Sequence, residues 1–216
     1  NPSHNFPSAT TYNTQLIVTS SQGCIDTIVQ PVIVLPGPTA GFMSDDWTGN
    51  VNQTIGFTDQ STIDAITWYW DFGDGSLDST STLENPSHIY TQGGFYDVCL
   101  IVTDINGCTD TICRTEIISM PPDVPTGFSP NGDGENDMFY VYGGPFKEIE
   151  FRIYNNWGEL IFESTNASTC GNHTCDGWDG KRKGIDQALG VYVYTVIGIT
   201  EDDKEHKISG DVTLLR

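Results

Sequence analysis

Thr67-Trp68-Tyr69-Trp70-Asp71-Phe72-Gly73-Asp74-Gly75 is the stretch that decides the fold. Its first six residues alternate, which puts Trp68, Trp70 and Phe72 on one face of a strand at period two. Aromatics gathered on one face need an opposing layer to cover them, so these three are the expected core of a sandwich. Gly73-Asp74-Gly75 then supplies the positive φ angles of a tight turn. Further on, residues 96–102 and 109–115 flank Asp104-Ile105-Asn106-Gly107, a β-hairpin signature. Centred on Asn106, that hairpin sets Cys99 opposite Cys113, within disulfide reach in the non-hydrogen-bonded register.

The composition around this stretch agrees. Among 216 residues there are 23 Gly, 11 Pro and 25 Thr against 5 Ala, which favours strands and turns over helices and predicts an all-β protein. The 29 acidic and 9 basic side chains leave a net charge of -20. Such a polyanion repels nucleic acid and anionic membrane surfaces, whereas divalent cations are better partners. No apolar run approaches the roughly 20 residues of a spanning helix, so direct membrane insertion is not expected. Six cysteines without zinc spacing point to an oxidising compartment, the periplasm or cell exterior. With Asn1-Pro2 at its start and no signal peptide, the chain reads as the C-terminal piece of something longer.

Charge also divides the chain. Residues 1–121 hold 13 acidic residues and one basic residue, Arg114, whereas residues 122–216 hold 16 acidic and 8 basic ones. The change falls at Met120-Pro121-Pro122-Asp123-Val124-Pro125, where three prolines predict a short stiff linker outside any ladder. Leu35-Pro36-Gly37-Pro38 predicts an earlier break. Residues 1–34 realign without a gap on residues 85–118: Asn1-Pro2-Ser3-His4 on Asn85-Pro86-Ser87-His88, Leu16-Ile17-Val18-Thr19 on Leu100-Ile101-Val102-Thr103, and Gly23-Cys24 on Gly107-Cys108. The expected plan is therefore the last strands of one repeat over 1–35, a complete repeat over 36–120, and a different domain over 123–216. A tandem array of this kind reads as a stalk.

Trp-Asp-Phe-Gly-Asp-Gly at 70–75, Asn-Pro-Ser-His at 85–88 with Tyr90, and Gly94-Phe95-Tyr96 together resemble the polycystic kidney disease (PKD) domain family. The resemblance implies an immunoglobulin-like β-sandwich. It implies little about function, because PKD modules are spacers in adhesins, proteases and polysaccharide-degrading enzymes alike.

Residues 123–216 carry apolar alternation at 138–142, 149–154, 159–162, 191–197 and 212–215, separated by Gly, Asn and Asp clusters, which predicts another sandwich and no useful helix. Pro125-Thr126-Gly127-Phe128-Ser129-Pro130-Asn131-Gly132-Asp133-Gly134, Ile153-Tyr154-Asn155 with Trp157-Gly158, Gly177-Trp178-Asp179-Gly180, Gly190-Val191-Tyr192-Val193-Tyr194 and the terminal Gly210-Asp211-Val212-Thr213-Leu214-Leu215-Arg216 resemble the gliding-motility-associated C-terminal domain. That family is the type B sorting signal of the Bacteroidetes type IX secretion system. The resemblance implies passage through the periplasm and outer membrane, and recognition by the translocon, by outer-membrane shuttle proteins and by PorP/SprF-family barrels. It also implies attachment at the cell surface, and the large gliding adhesins are proteins of this plan. Two departures are Asn156, where Arg is usual, and the insert 168–175, read as a loop closed by a Cys170–Cys175 disulfide.

The sorting residues are then expected in the end strand: Gly210, Val212, Leu214, Leu215 and Arg216. Such a strand could expose unpaired backbone groups and add to another sheet, or be simply the last strand of a sandwich.

Asn131, Asp133, Glu135 and Asp137 have spacing that suits calcium, although the EF-hand glycine and terminal glutamate are missing. The alternative is a set of turn formers with solvated side chains. Asp71 and Asp74 are weaker candidates for a cation, and as a carboxylate pair they fit a turn better than glycosidase chemistry. His4 and His88 are repeat-equivalent and read as structural. No hydrolase, zinc-protease or dinucleotide motif is present, so an enzyme within these residues is not expected. Lys181-Arg182-Lys183, the one basic cluster, reads as a solvated loop or as a docking patch for an acidic partner. Cys24 and Cys108 have no assigned partners. The leading functional reading is the C-terminal region of a surface protein, a gliding adhesin. Alternatives are the tail of a secreted polysaccharide-degrading enzyme and a calcium-dependent glycan-binding module, for which Trp47 and Trp178 would be the exposed aromatics.

Overall fold

A computed structural model describes residues 2–166 and 176–215. All regular structure among them is β. β1 (Thr11–Thr19) and β2 (Ile25–Ile33) form an antiparallel hairpin that pairs Leu16 with Ile28 and Val18 with Asp26. The longer hairpin β9 (Gly94–Asp104) and β10 (Thr109–Asp123) pairs Leu100 with Ile112 and Val102 with Asp110. The internal repeat thus extends to strand register. Burial separates the two copies: Leu16 is 58% exposed and Leu100 is 0% exposed.

The difference is the second layer. β9 and β10 join β6 (Ala65–Asp71), β7 (Thr80–Ser81) and β4 (Thr48–Asn50) in one sheet, and β3 (Phe42–Ser44), β5 (Thr54–Asp59) and β8 (Ser87–Ile89) form the sheet that faces it. Phe42, Ile55 and Phe57 on one side meet Trp70, Phe72, Val98, Leu100 and Ile118 on the other. Trp70 lies edge-on to Phe42, with ring centroids 5.1 Å apart, and its indole N–H donates to the Leu83 carbonyl at 2.8 Å. A buried Trp needs both contacts, one for its area and one for its polar edge. Trp68 sits half-buried at the margin of the same core. Gly73 adopts φ +78°, and a Cβ there would lie 2.7 Å from the Asp97 carbonyl oxygen, so the turn after β6 requires glycine.

The expected linker is instead strand. β10 runs on through Met120, Pro121 and Pro122 to Asp123 and pairs with β12 (Tyr142–Gly144) of the following domain, Met120 with Gly144 and Asp123 with Tyr142. The register shifts between those two pairs. The prolines fall inside that irregularity, where the missing N–H donors break no ladder bond. Gly93 lies against the same junction: a Cβ on it would come 2.1 Å from the Gly144 carbonyl oxygen.

The last domain is built on a five-stranded sheet. Its order is β11 (Gly127–Phe128), β18 (Glu205–Leu214), β17 (Gly190–Thr200), β13 (Phe146–Tyr154) and β14 (Leu160–Ser164). Phe128, Phe151, Ile153, Val196, Val212 and Leu214 line its inner face under Phe139 and Trp178. The covering layer is held by paired backbone bonds between Phe139 and Trp178 and by the short hairpin β15 (Lys181–Arg182) and β16 (Ile185–Asp186). The Trp178 indole donates to the Lys181 carbonyl at 2.8 Å.

Candidate functional site

The end strand differs from the open edge that its position in the sequence suggests. β18 pairs antiparallel with β17 on one side and parallel with β11 on the other, where Gly127 meets Thr213 and Phe128 meets Leu214. The Thr213 N–H donates to the Thr126 carbonyl at 3.0 Å, and the Leu215 N–H donates to the Phe128 carbonyl at 2.9 Å. Its last residues are therefore an interior strand with no free ladder for strand addition. Val212 and Leu214 are fully buried, and Leu215 on the opposite face is exposed. Gly210 packs against Tyr194: a Cβ there would lie 2.8 Å from the Tyr194 hydroxyl. Arg216 lies outside the described residues, as do Cys170 and Cys175.

The acidic loop spends its oxygens on itself. Asp137 accepts the N–H groups of Gly132 at 2.7 Å and Gly134 at 2.8 Å through its two carboxylate oxygens. Asn131 accepts from the Asp133 N–H and donates its amide to the Asp133 carboxylate. The Glu135 N–H and the Asn131 amide hold the Asp133 carboxyl below the usual carboxylate range. Asn131, Asp133 and Asp137 are thus turn formers bonded to nearby backbone. No group of three or more His, Cys, Asp and Glu side chains placed to hold a metal occurs among the described residues.

Lys181, Arg182 and Lys183 form one strand and the tip of the β15–β16 hairpin. Arg182 is ion-paired to Glu159 across from it, and that pairing draws the Glu159 carboxyl downward. Of the two aromatics singled out from the sequence, Trp178 is a core residue at 0% exposure and Trp47 is half-buried under the Arg114 guanidinium, 5.6 Å from its ring centre. The tryptophan that is exposed is Trp157, at 92%. The available signal was its place in Asn155-Asn156-Trp157-Gly158, a turn sequence in which an aromatic has no strand to bury it.

In the preceding domain, the His88 ring stacks on Phe72 with centroids 4.5 Å apart, and its Nε2 lies 2.9 Å from Asp74 Oδ2. Burial raises the Asp74 carboxyl, and the bonds from His88 and the Ser76 N–H outweigh it and lower its pKa. His88 therefore ties the tight turn to β8. Asp71 caps the same turn by accepting the Gly73 N–H at 2.9 Å. Cys99 and Cys113 are cross-strand partners joined by a disulfide, with Cα atoms 4.1 Å apart. Cys24 and Cys108 are free and exposed. A group the sequence did not flag is Glu116, at 0% exposure with neither carboxylate oxygen hydrogen-bonded. Burial, with the Asp46 and Asp45 charges adding to it, pushes its carboxyl up to about 7.

Comparison with known proteins follows this division. Residues 29–118 match the PKD domain family, and residues 122–214 match the CHU_C type IX secretion signal domain. A microbial collagenase of Vibrio alginolyticus is 36% identical over 94 residues, which is 42% of this chain and 11% of the collagenase. The metalloprotease PrtV of Vibrio cholerae is 40% identical over 60 residues, 28% of this chain and 6% of the protease. The chain therefore spans about a tenth or less of the length of these relatives. Among solved structures, the PKD1 domain of PrtV is 31% identical and covered over 98% of its length by 38% of this chain, with a TM-score of 0.33. The PKD1 domain of Vibrio anguillarum Epp is 32% identical and covered over 98% by 40% of this chain, with a TM-score of 0.34. A type IX secretion signal directs export to the cell surface or extracellular space. The chain thus carries two domains in succession, residues 29–118 matching the PKD domain family and residues 122–214 matching the CHU_C type IX secretion signal domain.

Proposed function

We propose that this chain is the C-terminal region of a large surface protein, a gliding adhesin, in which PKD units form the stalk and the last domain is the signal that takes the protein across the outer membrane and leaves it attached there. The observation that carries this reading is the order of the two domains, a repeat of stalk type leading into a secretion signal domain. The 13 to 1 excess of acidic residues over residues 1–121 keeps a repetitive filament soluble and extended by self-repulsion. The recognising partners are the type IX translocon and its outer-membrane shuttle or PorP/SprF-family barrel proteins, and the setting is the outer membrane of a Bacteroidetes bacterium.

Deletion of residues 122–216 from the full-length protein tests the signal. The expected result is loss of surface display with the protein retained in the periplasm; undiminished display would overturn the reading. A second reading has its own support: relatives that match part of this chain include collagenases and a metalloprotease. On that reading the PKD unit is an accessory spacer of a secreted hydrolase. A catalytic domain in the full-length protein favours it, and a long run of further PKD repeats favours the adhesin.

A further inference from the structure

We propose that Trp157, Ile185 and Leu189, with Lys181 and Lys183 beside them, form the surface by which the last domain docks on a protein partner that offers an apolar cleft rimmed by carboxylates. This rests on the reading of the domain as an export signal. The three apolar side chains are 92%, 71% and 60% exposed, respectively, and two of them line one groove. That groove, about 210 Å³, lies between the β13–β14 turn and the start of β17 and is walled by Asn156, Trp157, Gln187, Leu189 and Val191. Ile185 joins them through its cross-strand partner Arg182, whose guanidinium is paired to Glu159, two residues beyond Trp157.

The supports of this patch are hydrogen-bonded. Asn155 Oδ1 accepts the N–H groups of Trp157 at 3.0 Å and Glu159 at 2.9 Å, which fixes the turn that carries the indole. The buried Tyr192 places its hydroxyl on the Ala188 carbonyl at 2.8 Å, next to Leu189. The Gln187 N–H donates to the Gly180 carbonyl at 2.9 Å, closing the β15–β16 loop. Large apolar side chains held out on braced loops pay little ordering entropy on binding, the arrangement of an interaction surface rather than a frayed core.

Charge identifies the partner. In a chain of 29 acidic residues, Lys181 and Lys183 make no ion pair among the described residues, although Arg152, Arg182, Lys147, Lys204 and Lys207 all do. Two unpaired cations on the hairpin that carries Ile185 complement carboxylates around an apolar cleft. A lipid surface fits less well: Glu159 and Asp186 lie within the patch, the chain carries -20, and the Asn156 and Gln187 amides offer directional bonds that suit a polypeptide.

The test uses the full-length protein in its own bacterium with two variants, Trp157→Ala/Ile185→Ser and Lys181→Glu/Lys183→Glu, beside a deletion of residues 122–216. All four substituted side chains are exposed, and circular dichroism and thermal melting of the purified variants report that folding is unchanged. At least a tenfold loss of surface display in each variant is expected. Display within twofold of the unmodified protein, while the deletion abolishes it, overturns this surface and leaves the signal reading standing. Normal display of the deletion overturns the signal reading itself. Trp157-dependent binding to vesicles of outer-membrane lipids, or Trp157-dependent dimers in sedimentation, would overturn the assignment of a protein partner.

Discussion

The N–H of Leu215 donates to the carbonyl of Phe128 at 2.9 Å, so the tail of the chain is stitched to the first strand of its own domain. Leu214 pairs with Phe128 in the same ladder and lies fully buried. An export signal built this way is a folded object whose last residues close it. What a partner can read is the outer surface that this closure holds in place.

Leu214→Ala should therefore act on the whole domain. Removing a fully buried leucine side chain costs about 2–5 kcal/mol, enough to unfold a marginal domain. Urea titration followed by the fluorescence of Trp178, which packs in the same core, should show the last domain melting early while the PKD unit keeps its midpoint.

Glu116 gives a pH dependence of known sign. Its carboxyl is raised from 4.5 to about 7 in the folded protein. Between those values the unfolded chain releases the proton that the folded chain keeps, so stability falls as pH rises, and the full penalty persists above about 7. At about 1.4 kcal/mol per pH unit, the penalty is roughly 2–3 kcal/mol after allowing for relaxation. Glu116→Gln should match the unmodified protein at pH 4 and exceed it by that amount at pH 8, measured by chemical denaturation of the PKD unit.

The Cys99–Cys113 bridge closes a short hairpin segment, with a sequence separation of 14. By the chain-entropy estimate a loop of that size is worth about 3 kcal/mol. Cys99→Ser/Cys113→Ser should lower the stability of the PKD unit by up to that amount in equilibrium unfolding, with the last domain unaffected.

Gly93→Ala should loosen the junction. The added methyl would meet the Gly144 carbonyl oxygen at 2.1 Å and the Met120 Cβ at 2.9 Å, which forces β12 away from β10. Hydrogen exchange should show faster exchange at Met120 and Gly144, with both domain cores still protected.

The legible parts of the molecule were those in which local pattern and tertiary burial agree. Alternation placed Trp70 and Phe72 in the core, and the turn centred on Asn106 placed Cys99 opposite Cys113. The junction was not legible, because prolines 121 and 122 read as breakers while the register shift that accommodates them depends on a strand of the next domain. Trp178 looked like an exposed aromatic because its flanking Gly and Asp are turn residues, yet the backbone pairing with Phe139 draws it inward. Glu116 gave no signal at all: its burial comes from strands that lie far from it in sequence.

Whether the folded last domain directs export is read from the surface exposure of a reporter fused ahead of residues 1–216, scored by protease accessibility in intact Bacteroidetes cells with and without a working type IX translocon. The reporter should be surface-exposed only when the translocon is present and residues 122–216 are retained. Equal exposure in the translocon-deficient strain, or after removal of residues 122–216, would contradict it.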